Sequence, residues 1–187
     1  GSEKVFLAMA KTFPDADLLT LTCSASASGL CLPGPVTTSR LQRLPESIRT
    51  RRQLLLPLMP GAWRGLRNRS GPYDVVLTSS HVFARYFADP SAAAQTHLSY
   101  VHTPMRFAWY PGVDGRGSGR VLAPARVFAR AADAHTVRRT DSFAANSQEV
   151  QRRIREVYGR ESVLIHPPVD VGFYSPGASR THQRGPF

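Results

Sequence analysis

Short apolar segments that end in polar residues recur along this chain with helix-like segments between them, and this alternation limits the possible folds. The segments are Y-D-V-V-L-T-S-S at residues 73–80, T-H-L-S-Y-V-H at 96–102, Phe143–Ala145 and Ser162–His166. Strands separated by helices pair in the same direction, because each helix carries the chain back to the starting edge of the sheet. The pattern therefore predicts an α/β fold, a Rossmann-like parallel sheet with helices on both faces.

The first part of the chain predicts one helix and one strand. Residues 3–13 have apolar side chains at four-residue steps, which are Val5, Met9 and Phe13. That spacing gives a helix with one apolar stripe, and Pro14 ends it. Residues 17–23 alternate as a short strand, and residues 24–35 have the composition of a loop.

The last part of the chain predicts two more helices. Residues 125–140 have a helical pattern. A further helix is expected to begin with Asn146 as its N-cap, and Glu149 three residues later has the spacing of a capping box. Gly159 is expected to end this helix.

Length and cysteine content limit the class of protein. A chain of 187 residues forms one domain with its own core. No apolar run approaches the roughly 20 residues that cross a bilayer, and the first residues indicate an amphipathic helix rather than a signal peptide. The two cysteines, Cys23 and Cys31, form no disulfide framework and fit no common zinc spacing. We expect a reducing, cytoplasmic setting.

The net charge of +11 is carried almost entirely by arginine, because the chain has only two lysines, Lys4 and Lys11. Such an excess is typical of nucleic-acid binding, of attachment to anionic lipid, or of biased base composition in the coding DNA. Charge alone does not separate these explanations. The sequence has no zinc-finger, RNP or helical G-x-x-G pattern, so we expect no specific nucleic-acid partner.

The segment from Arg40 to Gly71 holds eight arginines and one acid, with leucines and Trp63 among them. Its prolines predict short helical pieces. The segment is either a solvated helical face over a core stripe or a patch that contacts an anionic membrane surface. In the second interpretation the contacting residues are Arg49, Arg51, Arg52 and Trp63.

Two histidines lie at the carboxyl ends of predicted strands: His81 follows the strand 73–80, and His102 is the last residue of the strand 96–102. Parallel strands bring their carboxyl ends to one edge of the sheet, where ligands of open α/β folds bind. Two histidines without a carboxylate make a poor metal site, so they are better suited to hydrogen-bonding hydroxyls or a departing phosphate. A structural role is about equally expected for His81. The D-x-D at residues 15–17 precedes a strand and is too common a pattern to indicate metal, so we expect no metal site.

Three side chains after His102 are suited to binding an acceptor. The Arg106 guanidinium forms bidentate bonds with phosphate or an acidic sugar, and Trp109 and Tyr110 present faces that stack on sugar rings. The alternatives are an ion pair of Arg106 with Asp114 or Asp133, and packing of both aromatic rings against the loop.

Three motifs stand in a fixed order: G-S-E-K-V at residues 1–5, Y-V-H-T-P-M-R-F-A-W at 100–109, and A-A-N-S-Q-E-V through I-H-P-P-V-D at 144–170. Together they closely resemble the N-terminal domain of glycosyltransferase family 4. The nearest group resembles the bacterial mannosyltransferases of O-antigen and exopolysaccharide assembly. The resemblance runs from Gly1 to about Phe173.

The resemblance implies a particular domain organisation. Residues 1–170 would form the N-terminal, acceptor-side half of a two-domain GT-B enzyme, and residues 171–187 a linker or disordered tail. The first strand of that half and the C-terminal donor domain, with its E-x7-E motif, are expected outside these 187 residues. By itself the chain is then expected to be inactive.

The resemblance also implies an activity. The parent enzyme would move mannose or a similar sugar, with retention of configuration, from a GDP- or UDP-linked donor to a lipid-linked glycan precursor at the inner face of the plasma membrane. No cofactor or metal is expected. His102 would lie beside the reacting sugar of the donor, and Gly1 and Ser2 beside its diphosphate.

Two alternatives stay open on the sequence. One is a non-catalytic basic Rossmann-like module that binds a phosphorylated ligand or RNA, and the other is an inactive gene fragment. Salt dependence distinguishes the first, because binding driven by nucleic-acid phosphates weakens steeply with ionic strength.

Overall fold

The computed structural model of the chain describes residues 2–23, 33–80, 83–89, 91–92, 94–111 and 123–169, except for the side chains of Arg52 and Gln53. The helices in these residues are α1 (Ser2–Thr12), α2 (Glu46–Arg49), α3 (Arg52–Leu55), α4 (Met59–Arg67), α5 (Arg106–Trp109), α6 (Ala123–Val137) and α7 (Gln148–Tyr158). The strands are β1 (Leu18–Thr20), β2 (Val36–Thr38), β3 (Val75–Ser80), β4 (Thr96–Val101), β5 (Ser142–Ala145) and β6 (Val163–Leu164). Short 3-10 turns lie at Arg40–Arg43, Leu56–Leu58 and Phe83–Phe87.

Two parallel sheets form the centre of the fold. Strands β3, β4, β5 and β6 lie side by side in that order, with Val75 opposite Thr96 and Leu98 opposite Ser142. Strands β1 and β2 form a separate parallel pair, with Leu18 opposite Val36. The α/β fold with parallel strands and intervening helices, predicted from the alternating pattern, is confirmed.

Helix α7 is held on the sheet by its apolar stripe. Val150 and Ile154 pack against Val101, Phe143 and Ala145 of the neighbouring strands β4 and β5. Ile154 is fully buried, and burial of such a side chain stabilises the fold by about 1.5–3 kcal/mol. This packing fixes the position of the carboxyl ends of β4 and β5.

The ends of α7 agree with the sequence at one terminus and not at the other. Gly159 ends the helix in the left-handed conformation, with φ 62°, as predicted. The predicted cap at Asn146 is wrong by one residue, because Ser147 has the extended backbone and its Oγ accepts from the Val150 N–H. The side chain of Glu149 pairs with arginines of the same helix.

A second apolar cluster attaches the 3-10 turn at 83–87 and α5 to α6. Its buried members are Phe83, Tyr86, Met105, Ala108, Ala129 and Ala132. The sequence predicted neither α5 nor β2, which follows two prolines. Both elements are very short, so periodicity carries little signal for them.

A buried ion pair lies among these elements. Arg85 donates to the Asp133 carboxylate, and both side chains are only 3% exposed. Asp133 also accepts from Trp109 Nε1 at 2.8 Å and from the Tyr158 hydroxyl at 2.8 Å. These bonds connect the 83–87 turn, α5, α6 and α7, and they satisfy charges that would otherwise be costly to bury.

Candidate functional site

The carboxyl edge of the four-stranded sheet brings a histidine and a serine together. His102 follows β4, and its Nε2 lies 2.8 Å from Oγ of Ser79, near the end of β3. The backbone N–H of His102 donates to the carbonyl of Ser80 at 3.2 Å, and its ring meets Tyr100 edge-on. His102 is therefore half-buried and oriented by three contacts from two adjacent strands.

A polar atom beside this pair lacks a partner. Oγ1 of Thr103 is buried and has no hydrogen-bond partner among the described residues. Such groups are rare in native proteins, because burial of an unpaired hydroxyl costs about 1–3 kcal/mol. The turn after β4 thus combines a half-buried imidazole with an unused hydroxyl.

A cleft of about 630 Å³ reaches this edge of the sheet. Ser79 lines it, together with Ser2 and Glu3 of α1 and with Thr22 and Cys23 after β1. The Ser79–His102 pair is therefore beside the cleft. Ser79 was not identified from the sequence, and its position near a strand's carboxyl end is the signal that identifies it.

Two of the predicted donor and acceptor residues lie outside the described residues, namely Gly1 and His81. Ser2, predicted beside the donor diphosphate, is the first residue of α1, and its hydroxyl lies 3.3 Å from the carboxylate of Glu3. The structure thus places Ser2 on the cleft.

The aromatic rings predicted to stack on sugar are covered by arginines. Arg130 lies 5.6 Å from the centre of the Trp109 ring, and Arg153 lies 5.1 Å from that of Tyr110. The Trp109 indole also donates to Asp133. Each ring therefore has an arginine of α6 or α7 beside it, and stacking of the rings on a sugar stays a prediction.

Arg106 is exposed at the start of α5. Asp133, one of its two suggested acidic partners, binds Arg85, Trp109 and Tyr158. Asp114, the other, lies outside the described residues. Arg106 is exposed on the turn that carries His102, and its role in binding an acceptor stays a prediction.

His97 lies inside the sheet rather than at its edge. The side chain is buried, with Nε2 at 3.2 Å from Thr78 Oγ1 and Nδ1 at 3.4 Å from Thr140 Oγ1. Burial lowers the pKa of His97 from 6.5 to about 4. A neutral ring between two hydroxyls has a structural role, in contrast to the half-buried His102.

In the basic segment, Arg40 to Gly71, some of the predicted membrane-contact residues bind or pack against other residues, and others are exposed. Arg49 donates to the carbonyl of Cys23 at 2.9 Å, and Trp63 is half-buried with its ring edge-on to Phe87. Arg51 is exposed, and the side chain of Arg52 lies outside the described residues. Exposed apolar side chains, which are Ile48, Leu54 and Leu58, lie around Arg51 in the sequence.

Neither a metal-binding cluster nor a membrane-crossing helix occurs among the described residues. No group of three or more His, Cys, Asp and Glu side chains among them is arranged to hold a metal ion. Among the same residues, no helix has both the length and the apolar character needed to cross a bilayer.

Comparison with known proteins connects this fold to a family. The sequence profile of Glycosyltransferase Family 4 matches residues 1–173. No significant match to a curated protein or to a solved structure was found. The parallel sheet with its helices agrees with the N-terminal domain of a GT-B glycosyltransferase. Because the profile covers most of the chain, the chain belongs to glycosyltransferase family 4.

Proposed function

We propose that this domain binds the acceptor of a retaining glycosyltransferase, a lipid-linked glycan precursor. The observation that carries the proposal is the contact of His102 Nε2 with Ser79 Oγ at 2.8 Å, beside the cleft at the carboxyl edge of the sheet. Ligands of open parallel sheets bind at this edge. This position supports a role of the pair in binding the substrate.

The chemistry of the pair suits a sugar hydroxyl. A neutral imidazole carries one donor and one acceptor nitrogen, and a serine hydroxyl both donates and accepts. Together they offer a sugar hydrogen-bond donors and acceptors. Arg106, at the surface of the same turn, adds a guanidinium suited to a phosphate of the acceptor.

The donor in this proposal is a GDP- or UDP-linked sugar, with mannose or a similar hexose transferred and no further cofactor. His102 acts beside the reacting sugar, and Ser2 lies near the donor diphosphate. When this domain is joined to a donor-binding domain, His102→Ala lowers kcat on the order of 100-fold, much more than it raises KM, because a group beside the reacting carbon acts mainly in the transition state. A variant that melts earlier but keeps its kcat would make His102 structural.

A lipid-linked acceptor implies work at a membrane surface, in this proposal the inner face of the plasma membrane. Leu54 is 61% exposed and Leu58 is 54% exposed, and Arg51 is exposed near them in the sequence. Exposed leucines beside arginine are typical of surfaces that enter an anionic interface. Trp63, the apolar contact predicted from the sequence, is half-buried and lies edge-on to Phe87.

The test is acceptor binding by the chain itself. The probe is a short-chain polyprenyl diphosphate that carries one sugar, titrated into the chain in detergent-free buffer. Ser79→Ala and His102→Ala should each weaken binding about tenfold, the effect of one or two lost hydrogen bonds. The matched control is His166→Ala, an exposed histidine beyond β6, which should bind as the unaltered chain does.

Two outcomes would contradict the acceptor assignment. One is equal binding by the Ser79 and His102 variants, with circular dichroism showing that all are folded. The other is affinity that collapses between about 50 and about 200 mM salt, the behaviour of a phosphate-binding basic module. In that case an RNA oligonucleotide would compete with the probe.

A further inference from the structure

A second, smaller pocket of about 160 Å³ lies between α4, the 83–87 turn and α6, and it shares no lining residue with the cleft. We call it the arginine pocket, after the four arginines that line it, which are Arg64, Arg67, Arg85 and Arg139. Pockets for drug-sized organic molecules have volumes of about 300–1,000 Å³. The arginine pocket is therefore suited to a small ion or to one polar group of a larger molecule.

The arginine pocket lies at the amino edge of the four-stranded sheet. Its residues Thr136 and Arg139 lie at the end of α6 or just after it, and α6 leads into the amino end of β5. Asp89, which lines the same pocket, lies between the 83–87 turn and the amino end of β4. The proposed acceptor site, with Ser79 and His102, lies at the opposite, carboxyl edge. The two sites are therefore distinct.

One wall of the arginine pocket is a buried cation whose position is fixed by the fold. The side chain of Arg85 donates from Nε to Thr136 Oγ1 at 3.1 Å and pairs with the Asp133 carboxylate. A group that is already ordered costs less entropy when a ligand binds to it. Because Asp133 balances the charge of Arg85, any excess of positive charge comes from the other arginines.

Tyr86 positions two more groups of the arginine pocket. Its hydroxyl donates to the carbonyl of Ala132 at 3.0 Å, which fixes the ring on α6. The Arg64 guanidinium lies 5.0 Å from the centre of this ring, a cation–π contact. The His135 ring stacks on Tyr86 with 6.2 Å between the ring centres. A cation of α4 and an imidazole of α6 are thus held at the same pocket.

The positive charge of the arginine pocket is only partly balanced. Asp89 is the one acidic residue among the described residues that line it, and its carboxylate lies 4.0 Å from Arg67. Within the part of the chain that the structure describes, neither Arg64 nor Arg139 forms an ion pair. The C-terminal ends of α4 and α6 each carry about half a negative charge, which offsets only part of the excess.

His135 is sensitive to this excess of positive charge. Burial and the nearby charges of Arg139, Arg64 and Arg138 all lower the pKa of His135. The other titratable residues of the pocket are Arg67, Arg85, Tyr86 and Asp89. An anion in the pocket would offset the repulsion from the arginines and raise the pKa of His135. The titration of His135 is therefore a direct measure of whether the pocket is occupied.

We propose that the arginine pocket is a phosphate-binding site, with Arg64 and Arg139 as the main contacts of one phosphate group. The planar guanidinium of arginine forms bidentate, charge-assisted bonds with phosphate oxygens. The phosphate group belongs to a small free compound or to a lipid headgroup, and both present the same oxygens to the arginines. The site is independent of the proposed acceptor site at the other edge of the sheet.

A titration of inorganic phosphate into the chain, followed by the NMR signals of His135, tests the proposal. We expect a saturable change of these signals and a pKa of His135 that rises as phosphate binds. Arg64→Gln and Arg139→Gln should each weaken phosphate binding at least about tenfold, the effect of a lost charge-assisted bond. Sodium chloride at the same ionic strength is the reference and should give no saturable change.

Arg138→Gln is the matched control, because it removes the same charge next to Arg139 from a residue that does not line the pocket. It should weaken phosphate binding about twofold at most, since salt screens exposed charges. Arg64, Arg138 and Arg139 are exposed, so their variants should fold with a Tm no lower than that of the unaltered chain. His102→Ala, at the other edge of the sheet, should bind phosphate as the unaltered chain does.

Vesicles distinguish the two sources of the phosphate group. The probe is phosphatidylcholine with or without phosphatidic acid, and binding is measured by co-sedimentation. For a lipid headgroup, Arg139→Gln should weaken binding to phosphatidic acid more than Arg138→Gln does, and inorganic phosphate should compete. For a small free compound, the two variants should bind these vesicles equally, while Arg139→Gln alone loses affinity for inorganic phosphate.

Three results would overturn the proposal. The same change of the His135 signals with sodium chloride would show that salt only screens the arginines. Equal phosphate affinity of folded Arg139→Gln and Arg138→Gln would show that the pocket holds no phosphate. An RNA oligonucleotide that displaces phosphate, with equal losses of RNA affinity in these two variants, would make the arginines part of a diffuse nucleic-acid surface.

Discussion

Helices α1 and α7 are both eleven residues long and both amphipathic, yet they pack differently. Helix α7 buries Ile154 completely against β4 and β5. Helix α1 borders the cleft, and Phe13, beyond its last turn, is 53% exposed. The comparison shows that amphipathic spacing predicts a helix, while the sheet beneath it determines how much of its stripe is buried.

The largest expected effect lies in the well-packed region, at the buried ion pair. Asp133→Leu should lower the free energy of unfolding by about 3–5 kcal/mol, because it leaves the Arg85 guanidinium buried without its carboxylate. Urea denaturation measures this loss. Glu149→Gln, which removes the exposed ion pairs of α7, is the control and should cost less than about 1 kcal/mol. Equal losses of unfolding free energy in the two variants would show that the buried ion pair stabilises the fold no more than the exposed ion pairs do.

The next effect compares the two apolar stripes directly. Ile154→Ala should cost about 2–5 kcal/mol, because it leaves a cavity between α7 and the sheet. Phe13→Ala should change the free energy of unfolding by no more than about 0.5 kcal/mol. If Phe13→Ala lowered the free energy of unfolding as much as Ile154→Ala does, the region beside the cleft would be as tightly packed as the interface of α7 with the sheet.

The pH dependence of stability tests the interior position of His97. Its pKa falls from 6.5 to about 4 on burial, so the unfolded chain binds more protons than the fold between these values. The neutral ring's contribution to the free energy of unfolding is fully present above about pH 6.5. It is lost as the pH falls toward 4. The loss approaches about 3 kcal/mol.

Urea midpoints between about pH 7 and 4 measure this slope. His97→Gln should be less stable at neutral pH and should flatten the slope, leaving the smaller contribution of His135, whose pKa burial also lowers. His166→Gln, at an exposed site, should keep the slope. An unchanged slope in the His97 variant would contradict the burial of a neutral ring.

The smallest effect concerns the exposed residues of the basic segment. Arg51→Gln should weaken binding to anionic vesicles by about 1 kcal/mol, or roughly fivefold, as measured by co-sedimentation. Arg138→Gln removes the same charge from an exposed position just after α6 and should change binding less. Equal binding to neutral vesicles would make this segment a solvated helical face.

The sequence predicted much of the fold for clear physical reasons. Strands β3 and β4 are apolar runs with polar ends, and the position of His102 after β4 placed it at the correct edge of the sheet. Strand β2 lacked any periodic signal because it has only three residues. The division of the strands into two sheets was also not predicted, because local patterns do not show which edges pair.

The candidate site was predicted only in part. Nothing local distinguishes Ser79 from Ser80, and only the pairing of β3 with β4 shows which of them meets His102. Arg85 and Asp133 lie 48 residues apart, so their contact depends on tertiary packing. The sequence position of Trp109 did not reveal the Asp133 carboxylate to which its indole donates.

Amide hydrogen exchange with and without the sugar-bearing polyprenyl diphosphate tests the central claim most directly. The account predicts that the probe slows exchange in peptides that contain Ser79–Ser80 and His102–Thr103, at the carboxyl edge beside the cleft. Peptides that cover β6 and the amino ends of β3 and β4 should exchange as before. Protection confined to β6 or to the amino ends of the strands, with none at His102, would contradict the assignment of this edge as the acceptor site.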